Sequence, residues 1–194
     1  MRQHCVPADN DCLFTAVGYL MGDTADASEL RTTCAGLVLS DPGTYTAAVL
    51  DRAPEAYAVY ITGAEKRWGG AIELGVLAKH YDVTLVAVDI ETEKQFTFGS
   101  APRRAFLLYS GTHYDALEGG DGTRVFGAAT HAAALQASLA IAHEAHSRSM
   151  FTNVHTFDLR CLVCYEGVVG QAGAVEHAKN TGHQSFGEYK GTGK

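Results

Sequence analysis

Apolar residues recur at helical spacing near the start of the chain, at Cys12, Leu13, Ala16, Val17, Leu20 and Met21. The turn-forming run VPADND precedes them, so Cys12 is placed at or near a helix N-terminus with Asn10 or Asp11 as the N-cap candidate. The pattern predicts a second helix over Ala27–Leu39 and a third over Ala47–Tyr60. Trp68-Gly69-Gly70 reads as a loop, and Ile72, Leu74, Val76 and Leu77 then follow at helical spacing up to Tyr81. Val83–Val88 is a continuous Val-rich apolar run, the pattern of a buried strand, and Gln95–Phe98 and Ala105–Tyr109 read as further strands. Residues 128–149 are Ala-rich and predict one helix with a stripe at Ala134, Leu135, Ser138, Leu139 and Ala142.

The pattern changes after Met150, where two cysteines and three of the nine histidines fall in the last 44 residues. A boundary near 150–156 is expected, giving a domain of residues 1–150, a small domain of 151–190 and a frayed tail at 191–194. A chain of 194 residues with 46% hydrophobic and 19% charged residues has globular composition and can bury one sizeable core. Its net charge of −7 makes it a poor general nucleic-acid binder, which needs clustered Lys and Arg. No apolar run approaches the ~18 residues of a membrane span, and MRQHCVPADN contains no secretory h-region. An odd count of five cysteines argues against a disulfide framework and for reduced thiols, so a cytoplasmic or nuclear setting is expected.

Cys161-Leu-Val-Cys164 is followed by twelve residues, then His177, five more residues, then His183. Two thiolates in a tight knuckle and two histidines on a following helix can close a tetrahedron around one structural Zn²⁺, with no position left for catalytic water. Residues 151–194 carry four acidic and four basic side chains, and Gln171–Glu176 offers few donors to base edges. A neutral finger of this kind suits protein contact or stability better than reading DNA.

Cys12 is the candidate nucleophile, since a helix N-terminus and a nearby imidazolium both favour a thiolate. His113 is the best candidate for the partner, because it sits at a strand end and Asp115, two residues on, can hold one ring nitrogen while the other faces the thiol. Turn amides around Ala8–Cys12 offer a nest for an oxyanion, and Asp9 is placed to brace that turn. By composition alone His4, His80, His131, His143, His146 and His155 compete equally with His113. His143 and His146 read as a solvated helix face, and Cys5 and Cys34 as structural or incidental.

Pro7-Ala8-Asp9-Asn10-Asp11-Cys12-Leu13-Phe14 resembles the nucleophile motif of ovarian-tumour (OTU) domain deubiquitinases. Trp68-Gly69-Gly70-Ala71-Ile72-Glu73, Val88-Asp89 and Gly111-Thr112-His113-Tyr114-Asp115 resemble later motifs of that family, in the same order. The segment from Arg160 through Glu188 resembles the finger of its OTU1-like branch of ubiquitin thioesterases. The resemblance implies an α/β (α+β) papain-like cysteine-protease fold with a small C-terminal two-Cys two-His zinc finger. It implies hydrolysis of the isopeptide or peptide bond after the C-terminal Gly of ubiquitin, with ubiquitin and polyubiquitin chains as partners and no cofactor for catalysis.

Carried over by position, the resemblance makes Cys12 the nucleophile, His113 the general base and acid, Asp115 its orienting residue, and Asp9 part of the Cys loop. It also places ubiquitin contacts around Lys66–Gly70. Members of this branch often carry a UBX-like domain that docks on the valosin-containing AAA ATPase; only eleven residues precede Cys12, so that partner is expected only if such a domain lies outside this chain. Asp11, directly before Cys12, is expected to raise the thiol pKa somewhat, with the helix end and His113 outweighing it. Two other readings remain at this point: a catalytically silent ubiquitin-binding module, and a zinc-finger nucleic-acid protein. Neither nucleic acid nor a membrane is expected as a partner.

Overall fold

The computed structural model describes residues 1–64, 67–153, 157–183 and 185–188. The expected tail at 191–194, Lys66 of the expected ubiquitin-contact loop and His155 lie outside them. The chain divides into two compact units, Met1–Met150 and Phe151–Lys194.

In the first unit a five-stranded sheet runs in the order β1 (Arg2–His4), β5 (Tyr114–Glu118), β4 (Arg104–Tyr109), β2 (Thr84–Asp89), β3 (Gln95–Phe98). Only β2 and β4 pair in parallel; the other neighbours are antiparallel. Every residue of β2 is buried, as its continuous apolar run predicts. Helices α1 (Cys12–Met21), α2 (Ala27–Ser40), α3 (Ala47–Leu50), α4 (Pro54–Thr62), α5 (Ala71–His80) and α6 (His131–Ser147) complete the unit. Leu13, Phe14, Val17, Leu30, Ile61, Leu74, Leu77, Leu85 and Leu107, each almost wholly buried, join into one core of helices and sheet.

The single helix expected over 47–60 is two. Asp51 takes a left-handed conformation (φ 56°), Ala53 is extended, and Pro54 opens α4 at its first turn. Proline disfavours a helical residue before it and donates no N–H, so the break follows from Pro54 itself. In α6 the buried stripe is Ala134, Ser138, Ala142 and Ala145, with Leu135 and Leu139 at its margins. Strand β1 was not foreseen; three residues, two of them exposed, give no periodicity to read.

Among its described residues the second unit holds a three-stranded antiparallel sheet, β7 (Gly167–Val169), β6 (Asp158–Cys161), β8 (Phe186–Glu188), and one helix, α7 (Gly170–Thr181). His177 lies on α7, but His183 does not: Gly182 adopts φ 77° and stops the helix before it. The expectation of both histidines on one helix is therefore corrected by a glycine C-cap.

Candidate active site and metal centre

Cys12 is the first residue of α1, and its N-cap is Asp11. Its sulfur accepts the N–H of Leu13, one of the free amides of the helix start. It also accepts the N–H of Tyr114, which directly follows His113. The fold thus brings the thiol onto the His113–Tyr114 peptide at the head of β5. His113 Nε2 lies 3.0 Å from Asp115 Oδ1, and a carboxylate can only accept there, so Nε2 carries the proton. Asp115 is buried and takes two more donors, the N–H of Val6 on Oδ1 at 2.8 Å and the Gln3 amide on Oδ2 at 2.7 Å. Gln3 reaches it because it pairs with Leu117 across the β1–β5 ladder, on the same face as Asp115.

Three of the turn amides near Cys12 are occupied within the turn. Asp9 N–H bonds Pro7 O at 3.0 Å, Asp11 N–H bonds Asp9 Oδ1 at 2.9 Å, and Cys12 N–H bonds Asp9 O at a long 3.3 Å. Asp9 therefore sits inside the turn, while Asp115 is the carboxylate on His113.

Burial pushes the Cys12 thiol up, and the Asp9 and Asp115 charges add to that; the Tyr114 and Leu13 amides oppose it without reversing it. This corrects the expectation that the helix end would prevail. The Asp11 side chain, directly before the thiol, is turned to the buried guanidinium of Arg31, 2.9 Å away.

The Trp68–Gly70 segment leads into α5. Glu73, buried, accepts the Gly70 N–H at 2.7 Å and the Tyr57 hydroxyl at 2.6 Å. Gly69 lies against α1, where an added Cβ would stand 3.0 Å from the Phe14 ring and 3.2 Å from Leu13. Among the other histidines, His4 stacks on Tyr19, and His143 and His146 gather at Glu93. Cys5 is exposed, and Cys34 is buried with its thiol pushed up to about 12, mainly by burial.

Sequence reasoning passed over Gln3, Arg31 and Tyr57, and quoted Glu73 within the Trp68–Glu73 motif without giving it a role. Gln3 and Tyr57 carry no signal of their own. Arg31 had one: it interrupts the apolar stripe of α2 at helical spacing from Cys34, Ala35 and Val38. Glu73 had another, standing three residues after Gly70 in a capping-box position.

In the second unit Cys161, Cys164, His177 and His183 each offer a ligand atom, all within 4.8 Å of one another. Cys164 Sγ is 3.3 Å from His177 Nε2, close to the edge of roughly 3.5 Å that Zn–S and Zn–N bonds give a tetrahedron. Burial pushes the Cys161 thiol up, but the Cys164 and Val163 amides and the Cys164 and His177 side chains outweigh it and bring it down to about 6. His177 Nδ1 lies 3.3 Å from Glu166, and the buried Nδ1 of His183 has no hydrogen-bond partner among the described residues. Two soft thiolates and two imidazoles in this compass fit Zn²⁺.

The family model for the C-terminal C2H2-type zinc finger of ubiquitin thioesterase OTU1 matches residues 155–189. OVARIAN TUMOR DOMAIN-containing deubiquitinating enzyme 2 of Arabidopsis thaliana is 38% identical, over 95% of this chain and 96% of its own length. The chain belongs to the ovarian-tumour (OTU) domain family. Ubiquitin thioesterase OTU1 of Danio rerio is 43% identical over 97% of the chain, and that of Homo sapiens 40% over 94%. The chain spans 66% and 56% of the length of these two relatives. An OTU domain solved in complex with ubiquitin superposes with a TM-score of 0.70 at 29% identity, covering 77% of this chain and 89% of that one. The mixed helix-and-sheet OTU fold and the C-terminal finger are thereby established.

Proposed function

We propose that the protein is a deubiquitinating cysteine hydrolase that cleaves the isopeptide or peptide bond after the C-terminal Gly of ubiquitin. One observation carries the reading: Asp115 holds the His113 ring at 3.0 Å, next to the Tyr114 amide that acts on the Cys12 sulfur. The family relatives named ubiquitin thioesterase and the solved complex with ubiquitin support the substrate class.

With Nε2 committed to Asp115, His113 Nδ1 is the nitrogen that takes the Cys12 proton. Thiolate formation is coupled to attack, because burial keeps the resting thiol protonated. The sulfur attacks the Gly carbonyl, and the developing oxyanion draws on amides of the 8–12 turn. The Cys12 N–H is the donor best placed, since its bond to Asp9 O is already long. His113 then protonates the departing lysine amine and later activates the water that opens the thioester. Trp68-Gly69-Gly70 forms a narrow wall suited to a Gly-Gly tail. Cys161, Cys164, His177 and His183 hold one structural Zn²⁺, which takes no part in these steps. Any docking on the valosin-containing AAA ATPase belongs to a UBX-like domain outside these residues.

The test is adduct formation with a ubiquitin C-terminal electrophilic probe, followed by turnover of a di-ubiquitin panel. Wild type should form the adduct, Cys12→Ala should not, and His113→Ala should lose hydrolysis. An adduct on the Cys12→Ala protein overturns the nucleophile assignment, and an adduct without turnover of any linkage points to the silent binding module.

A further inference from the structure

Arg31 projects from the middle of α2 into the interior, where it is 3% exposed. Its planar fork reaches three separate stretches of chain. Nε bonds Asp11 Oδ1 at 2.9 Å, and Nη2 bonds both Asn10 O at 2.6 Å and Arg67 O at 2.7 Å. Nη1 bonds Ile61 O at 3.2 Å, and the guanidinium lies 4.3 Å over the Phe14 ring. Asn10 and Asp11 immediately precede the nucleophile, and Arg67 immediately precedes Trp68.

A buried ion pair is a weak source of net stability, because desolvation offsets the attraction. Geometry is what a guanidinium with five fixed donors supplies that a lysine or an apolar side chain does not. The turn needs it: its own bond at the nucleophile, Cys12 N–H to Asp9 O, is long. Glu73 fixes the far end of the Trp68–Gly70 wall through Gly70, and Arg31 fixes the near end through Arg67.

We propose that Arg31 is a positioning residue for the cleavage reaction, one guanidinium that sets the Asn10–Cys12 turn and locks it to the wall beginning at Arg67. It also neutralises the carboxylate next to the nucleophile. Burial, Asp9 and Asp115 raise the Cys12 thiol, and the Arg31 charge beside Asp11 works against any further rise from that carboxylate. The inference rests on the hydrolase reading above, so its test has one arm that does not use ubiquitin.

Arg31→Lys, made in the full chain, keeps the charge and the aliphatic packing but loses the fork. Thermal unfolding gives its folded fraction, and kcat and KM are measured on a ubiquitin C-terminal fluorogenic conjugate per folded molecule. We expect kcat to fall about tenfold or more, as misplacement of a reacting group does. A lowered Tm with kcat per folded molecule within about twofold of wild type would assign Arg31 to stability alone and overturn the proposal.

The second arm follows iodoacetamide alkylation of Cys12 against pH, read on its own peptide by mass spectrometry. Asp11→Asn leaves an oxygen for Nε–H but strands the Arg31 charge beside the turn, so Cys12 should react about threefold faster at neutral pH with its midpoint moved down. An unmoved or raised midpoint would overturn the proposal, including where Arg31→Lys does not fold. Wild type that fails to turn over the conjugate would sink the hydrolase reading while the alkylation arm still reports on Arg31.

Discussion

The two units reach order by different means. Residues 1–150 bury a continuous set of Leu, Val, Phe and Ile side chains between helices and sheet. In residues 151–194 the buried positions of the described elements are Leu159, Cys161, Gly170, Ala174 and His177, two of them members of the Cys–His cluster. Leu162, Val163, Tyr165, Val169 and Val175 are exposed there. A unit of this size cannot be held by so little apolar burial, and a metal is the usual remedy. The difference shows that one chain can draw folding free energy from area in one region and from coordination in another.

Metal removal is the largest lever on that contrast. Chelation should cost the second unit on the order of 10 kcal/mol, the scale of structural zinc in small fingers. Segment-resolved hydrogen exchange should then show 151–194 unprotected and 1–150 unchanged; protection that persists in the finger would break the comparison. Leu77→Ala attacks the other unit. Deleting a wholly buried leucine should cost about 2–5 kcal/mol, read as a lower denaturant midpoint for residues 1–150 with the same zinc per chain.

A smaller effect is expected from Glu166→Gln, which weakens the carboxylate 3.3 Å from His177 Nδ1. Zinc affinity should fall about tenfold, measured by competition with a chromophoric chelator, because an outer partner orients the ligating ring. The least is expected from alkaline pH. Folding holds the Cys34 proton up to about 12, whereas the unfolded thiol releases it near 9.0, so stability is whole below 9 and declines above it. At pH 10 the loss should be about 1 kcal/mol, and Cys34→Ala should flatten that limb of the stability curve.

Much of the first unit was legible because its elements carry strong periods. Cys12–Met21, Gln95–Phe98 and the buried run of β2 lie where the pattern puts them. The single helix expected across 47–60 broke at Pro54, a residue whose rule was available and outweighed by the surrounding apolar count. The Cys–His spacing was legible as a ligand set, but not the helix stop at Gly182 that sets His183 outside α7. At the candidate site, Cys12, His113 and Asp115 could be singled out from the sequence, whereas the residues that hold them could not. Asp11 was readable as a charge beside the thiol, but nothing local announced its partner Arg31, twenty residues on. Gln3 holds Asp115 only through a ladder register that no local pattern encodes.

Gly69 has a consequence for the way the Trp68–Gly70 segment is seated. A hydrogen atom is all that separates this position from the Phe14 ring and the Leu13 methyls. The position of this segment is therefore set by two side chains of α1. Any side chain added at Gly69 would press on those two wholly buried groups, so the way the segment sits on α1 is open to glycine above all.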